Sequence, residues 1–175
     1  CRALVVGVTD YSSGSLASLE GPHFDASEVA SVLASRYGFD VTLKVGLITC
    51  ATLRTELENL ATSGTRDDAL FFFYAGHGLP GHLVPSDAAL GSPTDRSTWK
   101  NVMPFDELAK KLRVPDAHHT LVALDCCFSG TALGEAFKGG VGTLGPPALK
   151  IAEKDNLARV FNRRSFQVIT AGAGD

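Results

Sequence analysis

The chain has 175 residues, 45% of them hydrophobic, with 16 basic and 19 acidic side chains and a net charge of -3. That is enough for one domain with a sizeable core and too little for two ordinary ones, and the mixed charge argues against nucleic acid as a main partner. The longest apolar run, residues 69–75, is far shorter than the ~20 residues needed to cross a bilayer, and no leader opens the chain, so a soluble, cytoplasmic protein without a membrane partner is expected.

Residues 2–9 (RALVVGVT) form a β-branched apolar run that reads as a buried strand, followed by a Ser- and Gly-rich loop over residues 10–21. Pro22 then opens a helix over residues 22–37, ended by Gly38, with Phe24, Ala26, Val29, Ala30, Val32 and Leu33 on its apolar face. Asp25 falls in its first turn, where a carboxylate favours the positive end of the helix dipole, and that is the simplest reading of it. A second strand over residues 40–45 and a second helix over residues 50–61, spaced by Leu53, Leu57 and Leu60, come next.

Residues 69–78 (ALFFFYAGHG) carry a fully apolar run into Gly76, His77 and Gly78, which predicts a central strand buried on both faces that delivers His77 at its end. Residues 82–88 read as a short extension or hairpin broken at Pro85, residues 91–100 as a polar loop with the only tryptophan, Trp99, and Pro104 as the start of a helix over Phe105, Leu108, Ala109 and Leu112. Residues 120–124 form the next strand, leading into Asp125, Cys126, Cys127, Phe128, Ser129 and Gly130. A short helix over 131–137, a flexible linker over 138–147, a basic amphipathic segment over 148–164 and a last strand over 165–170 complete the chain. The chain starts at Cys1 and stops at Asp175 just past that strand, so both ends read as cut.

Strands that are nearly all apolar and alternate with helices predict an α/β fold: a mostly parallel central sheet with helices on both faces, in three α/β/α layers. Ligands in such sheets sit beyond the carboxyl ends of the strands. His77, Cys127 and Asp175 all fall there. A thiol needs a nearby base to become a nucleophile, so His77 and Cys127 fit a catalytic pair, with the backbone N–H groups of Gly78 and Cys127 as oxyanion donors. A loop histidine near a buried cysteine is the plain alternative. The four cysteines, Cys1, Cys50, Cys126 and Cys127, include no C-x-x-C and suit a reducing compartment. A metal site built from His77, His82, His118, His119 and the cysteine pair is disfavoured, because Cys126 and Cys127 would point to opposite sides of an extended chain.

The runs FFFYAGHG and LVALDCCFSG, with His77 and Cys127 separated by 50 residues, together with GPHFDA at 21–26, resemble the caspase superfamily (peptidase C14) and within it the prokaryotic metacaspase-like proteases. The resemblance spans nearly the whole chain. It implies one caspase-like catalytic domain: a large-subunit-like part to about residue 137, a processed linker over about 138–164, and the truncated start of a small-subunit-like part over 165–175. It also implies His77 as general base, Cys127 as nucleophile and Cys126 as packing. Phe128 stands where metacaspases commonly have histidine, and Pro22 where they often have cysteine. Neither position is needed for the dyad.

The acids of the specificity pocket in that family resemble Asp25, Asp125 and Asp175. Three carboxylates around one pocket would repel one another unless a cation entered, which predicts cleavage after Arg, with Lys second. The expected partners are protein or peptide substrates with Arg or Lys before the scissile bond, and the resemblance to caspase-like zymogens implies regulation by cleavage of the linker, by the enzyme itself or by an upstream activating protease. No cofactor is expected from the residues, while calcium, which many metacaspases need, stays open: the sequence carries no EF-hand loop or tight acidic cluster that would mark a site. A non-hydrolysing scaffold of the same fold is the alternative, disfavoured by the intact His77 and Cys127.

Overall fold

A computed structural model describes residues 1–12, 16–65, 67–92, 95–113, 117–127 and 164–171. The expected short helix, the linker and the basic segment between 131 and 163 lie outside the described residues, as does Asp175.

Five strands, β1 (Arg2–Val8), β2 (Asp40–Gly46), β3 (Ala69–Ala75), β7 (His119–Asp125) and β8 (Ser165–Thr170), form one sheet in the order β2-β1-β3-β7-β8. Every neighbouring pair is parallel. β3 is the central strand, as its unbroken apolar run predicts; Leu70, Phe72, Phe73, Tyr74 and Ala75 are all buried. The chain leaves β1 for β2 on one side and returns to β3 on the other, so the strand order reverses between β1 and β3. A crevice opens at the carboxyl ends of strands where that happens.

Alternate residues of each strand feed two cores on opposite sheet faces. Ala3, Val5, Phe73 and Ala75 meet Ala26 and Ala30 of α1 (Gly21–Tyr37) on one face. Leu4, Val6, Phe72, Tyr74, Val122, Leu124 and Cys126 meet α2 (Cys50–Ser63) and α3 (Phe105–Arg113) on the other. The expected three-layer α/β/α architecture is therefore observed. On the α2–α3 face, the Arg54 Nε and Nη2 donate to both carboxylate oxygens of Glu107 at 2.8 and 3.1 Å, joining the two helices.

α1 starts one residue earlier than expected, and two features of its reading are corrected. Asp25 is the fifth helical residue, beyond the first turn, so a role at the positive end of the dipole does not account for it. Phe24 and Val32, assigned to the apolar face, are 65% and 38% exposed. The buried stripe is instead Pro22, Ala26 and Ala30, flanked by Val29 and Leu33. The small residues have a reason. Gly7 of β1 faces the Pro22 carbonyl so closely that a Cβ there would collide with it, and α1 thus lies flat against the strand. Gly38, in the left-handed region at φ 66°, ends the helix as expected.

Beyond β3 the chain makes a small antiparallel sheet from β4 (Gly78–Leu79), β5 (His82–Leu83) and β6 (Met103–Pro104). Pro104, expected to open the third helix, closes β6 instead, and α3 begins at Phe105. A short 3-10 turn, Arg96–Thr98, sits in the loop before Trp99.

Candidate active site

The carboxyl ends of β3, β7 and β8 and the start of α1 converge on a cleft of about 400 Å³ whose walls include Pro22, Asp25, His77, Asp125, Cys127 and Ala171. Each strand delivers its side chain for a local reason. Asp125 is the last residue of β7, in register with Ala75 of β3, and its odd-numbered position turns it to the α1 face with Ala123. Asp25 comes from α1 on that same face, carried close to the strand ends by the tight Gly7–Pro22 contact.

Strand alternation sends the two thiols to different surroundings. Both border the cleft, but Cys126 is buried in the α2–α3 core with Leu124, while Cys127 is exposed. Burial pushes the Cys126 thiol up to about 12, helped by the neighbouring Cys127 and Asp125. Cys126 is therefore a neutral thiol at any ordinary pH and a poor nucleophile.

His77 is held from several sides. Its backbone N–H donates to the Tyr11 phenol at 2.8 Å, and its carbonyl accepts from the Val84 N–H at 3.2 Å. The Tyr74 phenol donates to the Val84 carbonyl at 2.8 Å and lies 3.1 Å from the His77 carbonyl. The imidazole Nε2 is 2.9 Å from the Ala17 carbonyl. A carbonyl can only accept, so this contact places the ring proton on Nε2 and leaves Nδ1 as the basic nitrogen.

Gly78 is buried and does not line the cleft. A Cβ on it would collide with the Cys127 carbonyl and crowd the Cys126 Sγ at 3.0 Å. The glycine thus lets the His77 segment approach the end of β7. Its backbone is pressed against the Cys127 segment, which brings the two expected oxyanion donors into one neighbourhood.

The structure brings together His77, Cys127, Asp25 and Asp125 of the residues expected from the sequence, with Gly78 immediately behind them; Asp175 lies outside the described residues. Sequence reasoning missed Tyr11 and Ala17, which hold His77 from the β1–α1 loop. No motif marks them, since one acts through its carbonyl and the other through a phenol in a Ser- and Gly-rich stretch. The histidines of the metal alternative are spread out. His119 pairs its Nδ1 with Ser165 Oγ at 2.8 Å at the opposite end of β7 from Cys127, roughly 20 Å of strand away. Among the described residues no three His, Cys, Asp or Glu side chains are grouped to hold a metal ion.

Residues 1–171 match the family model of the peptidase C14 caspase domain. Among solved structures, the crystal structure of protein GSU0716 from Geobacter sulfurreducens is similar, with 25% sequence identity, a TM-score of 0.56, and coverage of 78% of this chain and 53% of that one. The chain thus spans about half the length of that relative. Comparison with curated proteins gives no match. With a family match over nearly its whole length, on a parallel sheet whose carboxyl edge carries a histidine and an exposed cysteine, the chain belongs to the peptidase C14 caspase-domain family.

Proposed function

We propose that the chain is a cysteine endopeptidase that cleaves after basic residues, using Cys127 as nucleophile and His77 as general base. The observation that carries this reading is the cleft in which His77 and Cys127 stand together with two carboxylates, Asp25 and Asp125.

In this mechanism the Cys127 thiol gives its proton to His77, and the sulfur attacks the carbonyl carbon of the scissile bond. The oxygen of that carbonyl becomes an oxyanion, stabilised by backbone N–H groups of Gly78 and Cys127. The C–N bond then breaks as His77 returns the proton to the leaving amine, leaving a thioester on Cys127. A water attacks the thioester carbon, His77 takes its proton, and cleavage of the C–S bond releases the acid and restores the thiol. The Ala17 carbonyl keeps the ring in the tautomer this cycle needs.

Asp25 and Asp125 supply the specificity. A guanidinium entering between them satisfies both with paired, charge-assisted hydrogen bonds, an ammonium does so less completely, and a substrate aspartate is repelled. The test is a panel of fluorogenic peptides with Arg, Lys or Asp before the scissile bond. Arg should lead Lys, Asp should not be cut, and Asp125→Asn should lower kcat/KM for the Arg peptide by about tenfold or more, the worth of a charged hydrogen bond. Preference for the Asp peptide overturns the acidic pocket; cleavage that survives Cys127→Ala overturns the mechanism.

A further inference from the structure

We propose that Tyr11 is a positioning residue that sets the orientation of His77, an assignment that rests on His77 being the base of the Cys127 peptidase. Tyr11 follows β1, on the strand next to the one that delivers His77, and the two meet at the reversal of strand order. Three contacts tie this loop to the histidine. The Tyr11 hydroxyl accepts the His77 backbone N–H at 2.8 Å; the phenol ring lies 4.7 Å from the imidazole, tilted by 55°; and six residues on, the Ala17 carbonyl meets Nε2 at 2.9 Å. Backbone, ring face and ring edge are therefore all referred to one loop.

The phenol is itself fixed. Tyr11 is 8% exposed, and its hydroxyl donates to the Val8 carbonyl at 3.3 Å. Its neighbour Ser12 bonds twice to the Ser86 carbonyl, from N at 2.9 Å and from Oγ at 3.0 Å. Ser86 is fully buried and exchanges hydrogen bonds with Ile48 through its Oγ and its N–H, at 2.8 Å each. The Tyr11 loop is thus anchored in the α2–α3 core rather than floating over the site. Gly76 completes the cradle: a Cβ there would stand 3.0 Å from both the Tyr11 and Tyr74 hydroxyls, so the phenols close directly on the backbone that leads into His77. Phenylalanine would fill the same core volume. The hydroxyl adds two hydrogen bonds that packing does not need, a donation to the Val8 carbonyl and an acceptor aimed at the His77 N–H, and only the second reaches the site.

Three measurements on the purified chain test this: kcat and KM on the Arg peptide, the thermal midpoint, and the rate of iodoacetamide alkylation of Cys127. Tyr11→Phe keeps the ring and loses the acceptor, and should lower kcat by about tenfold with KM within about twofold, because the substrate pocket is untouched while the base is misplaced. Tyr11→Leu also loses the ring contact and should lower kcat by about a hundredfold. Alkylation of Cys127 should slow in the same order, with His77→Ala slowest. Leu57→Ala, a core change on α2, should lower the thermal midpoint without lowering kcat per folded molecule. If His77→Ala slows alkylation but neither Tyr11 variant lowers kcat, the assignment of Tyr11 is overturned while the dyad stands. If His77→Ala leaves alkylation unchanged, the dyad itself fails and Tyr11 loses its role with it.

Discussion

The two strand ends that meet at the cleft are built in opposite ways. The end of β3 is fastened: the residues from Gly76 to Gly78 are tied to Tyr11, Ala17, Val84 and the Asp125 carbonyl, partners drawn from the β1–α1 loop, the segment after β5 and the end of β7. Among the described residues, the end of β7 is held by the buried Cys126 side chain and by backbone bonds to its Leu124 and Asp125 carbonyls, from Ala171 N–H at 3.0 Å and Gly76 N–H at 3.3 Å, and then leads to an exposed Cys127. The difference fits the division of labour in nucleophilic catalysis. A base must hold one tautomer and one orientation through the whole cycle, whereas a nucleophile must be reachable and has to move toward the carbon it attacks. Rigid surroundings suit the first task and an exposed strand terminus suits the second.

The largest expected effect breaks this comparison at the two adjacent thiols. Cys127→Ala should lower kcat by more than about a thousandfold while leaving the melting temperature close to wild type, because an exposed thiol contributes little to the core. Cys126→Ala should do the reverse, with kcat within about twofold and a stability loss of about 1–2 kcal/mol from the small cavity it leaves beside Leu124. Denaturant unfolding and peptide kinetics on the same preparations read both. Loss of activity from Cys126→Ala without loss of stability would show that the wrong sulfur has been assigned.

A smaller effect is expected where the fastened end touches the open one. Gly78→Ala puts a methyl group where the Cys127 carbonyl and the Cys126 Sγ already stand, and the backbone cannot yield cheaply at a strand pair. The two ends must separate. A displacement of about 1 Å between base and nucleophile costs about a hundredfold in rate, and the overpacking costs about 1–3 kcal/mol of stability. A Gly78→Ala protein with wild-type kcat would mean that the contact between the two ends has no part in setting the dyad.

Much of this arrangement is legible in the sequence because it depends on patterns with a fixed period. The apolar runs at 2–9, 69–75 and 120–124, bounded by turn residues, read as buried strands, and the Leu53, Leu57, Leu60 spacing reads as the core face of a helix; β1, β3, β7 and α2 stand there. His77, Asp125 and Cys127 follow at once, since each falls at or just past the end of such a strand. Asp25 was harder to place, because its position in the helix depends on where α1 starts, and a start at Gly21 moves it out of the first turn and leaves the cleft as its surroundings. Tyr11 and Ala17 were not readable at all. They act through a hydroxyl and a carbonyl in an irregular loop, and their meaning appears only when the reversal of strand order sets β1 beside β3. The exposure of Phe24 and Val32 has a similar origin: the small residues Gly7, Ala26 and Ala30 draw α1 close along one narrow line and leave its flanks outside.

The last expected effect concerns pH, and it tests whether both strand ends are as dry beneath the cleft as their packing requires. Burial raises the Tyr11 phenol from 10.0 to about 12 and the Cys126 thiol from 9.0 to about 12, and it holds the Tyr74 phenol well above its ordinary value. In each case the folded protein keeps a proton that the unfolded chain gives up. Stability from these groups is therefore fully present below about pH 9, the unfolded thiol value, and is lost as pH rises toward about 12. A single such group sets a limiting slope of about 1.4 kcal/mol per pH unit. Urea unfolding at pH 8, 9, 10 and 11 should show a decline for wild type that is shallower in Cys126→Ala from pH 9 upward, and shallower in Tyr11→Phe only from pH 10 upward. Equal slopes in all three proteins would mean that water reaches these groups in the folded state, and that the rigid surroundings of His77 are not closed to solvent.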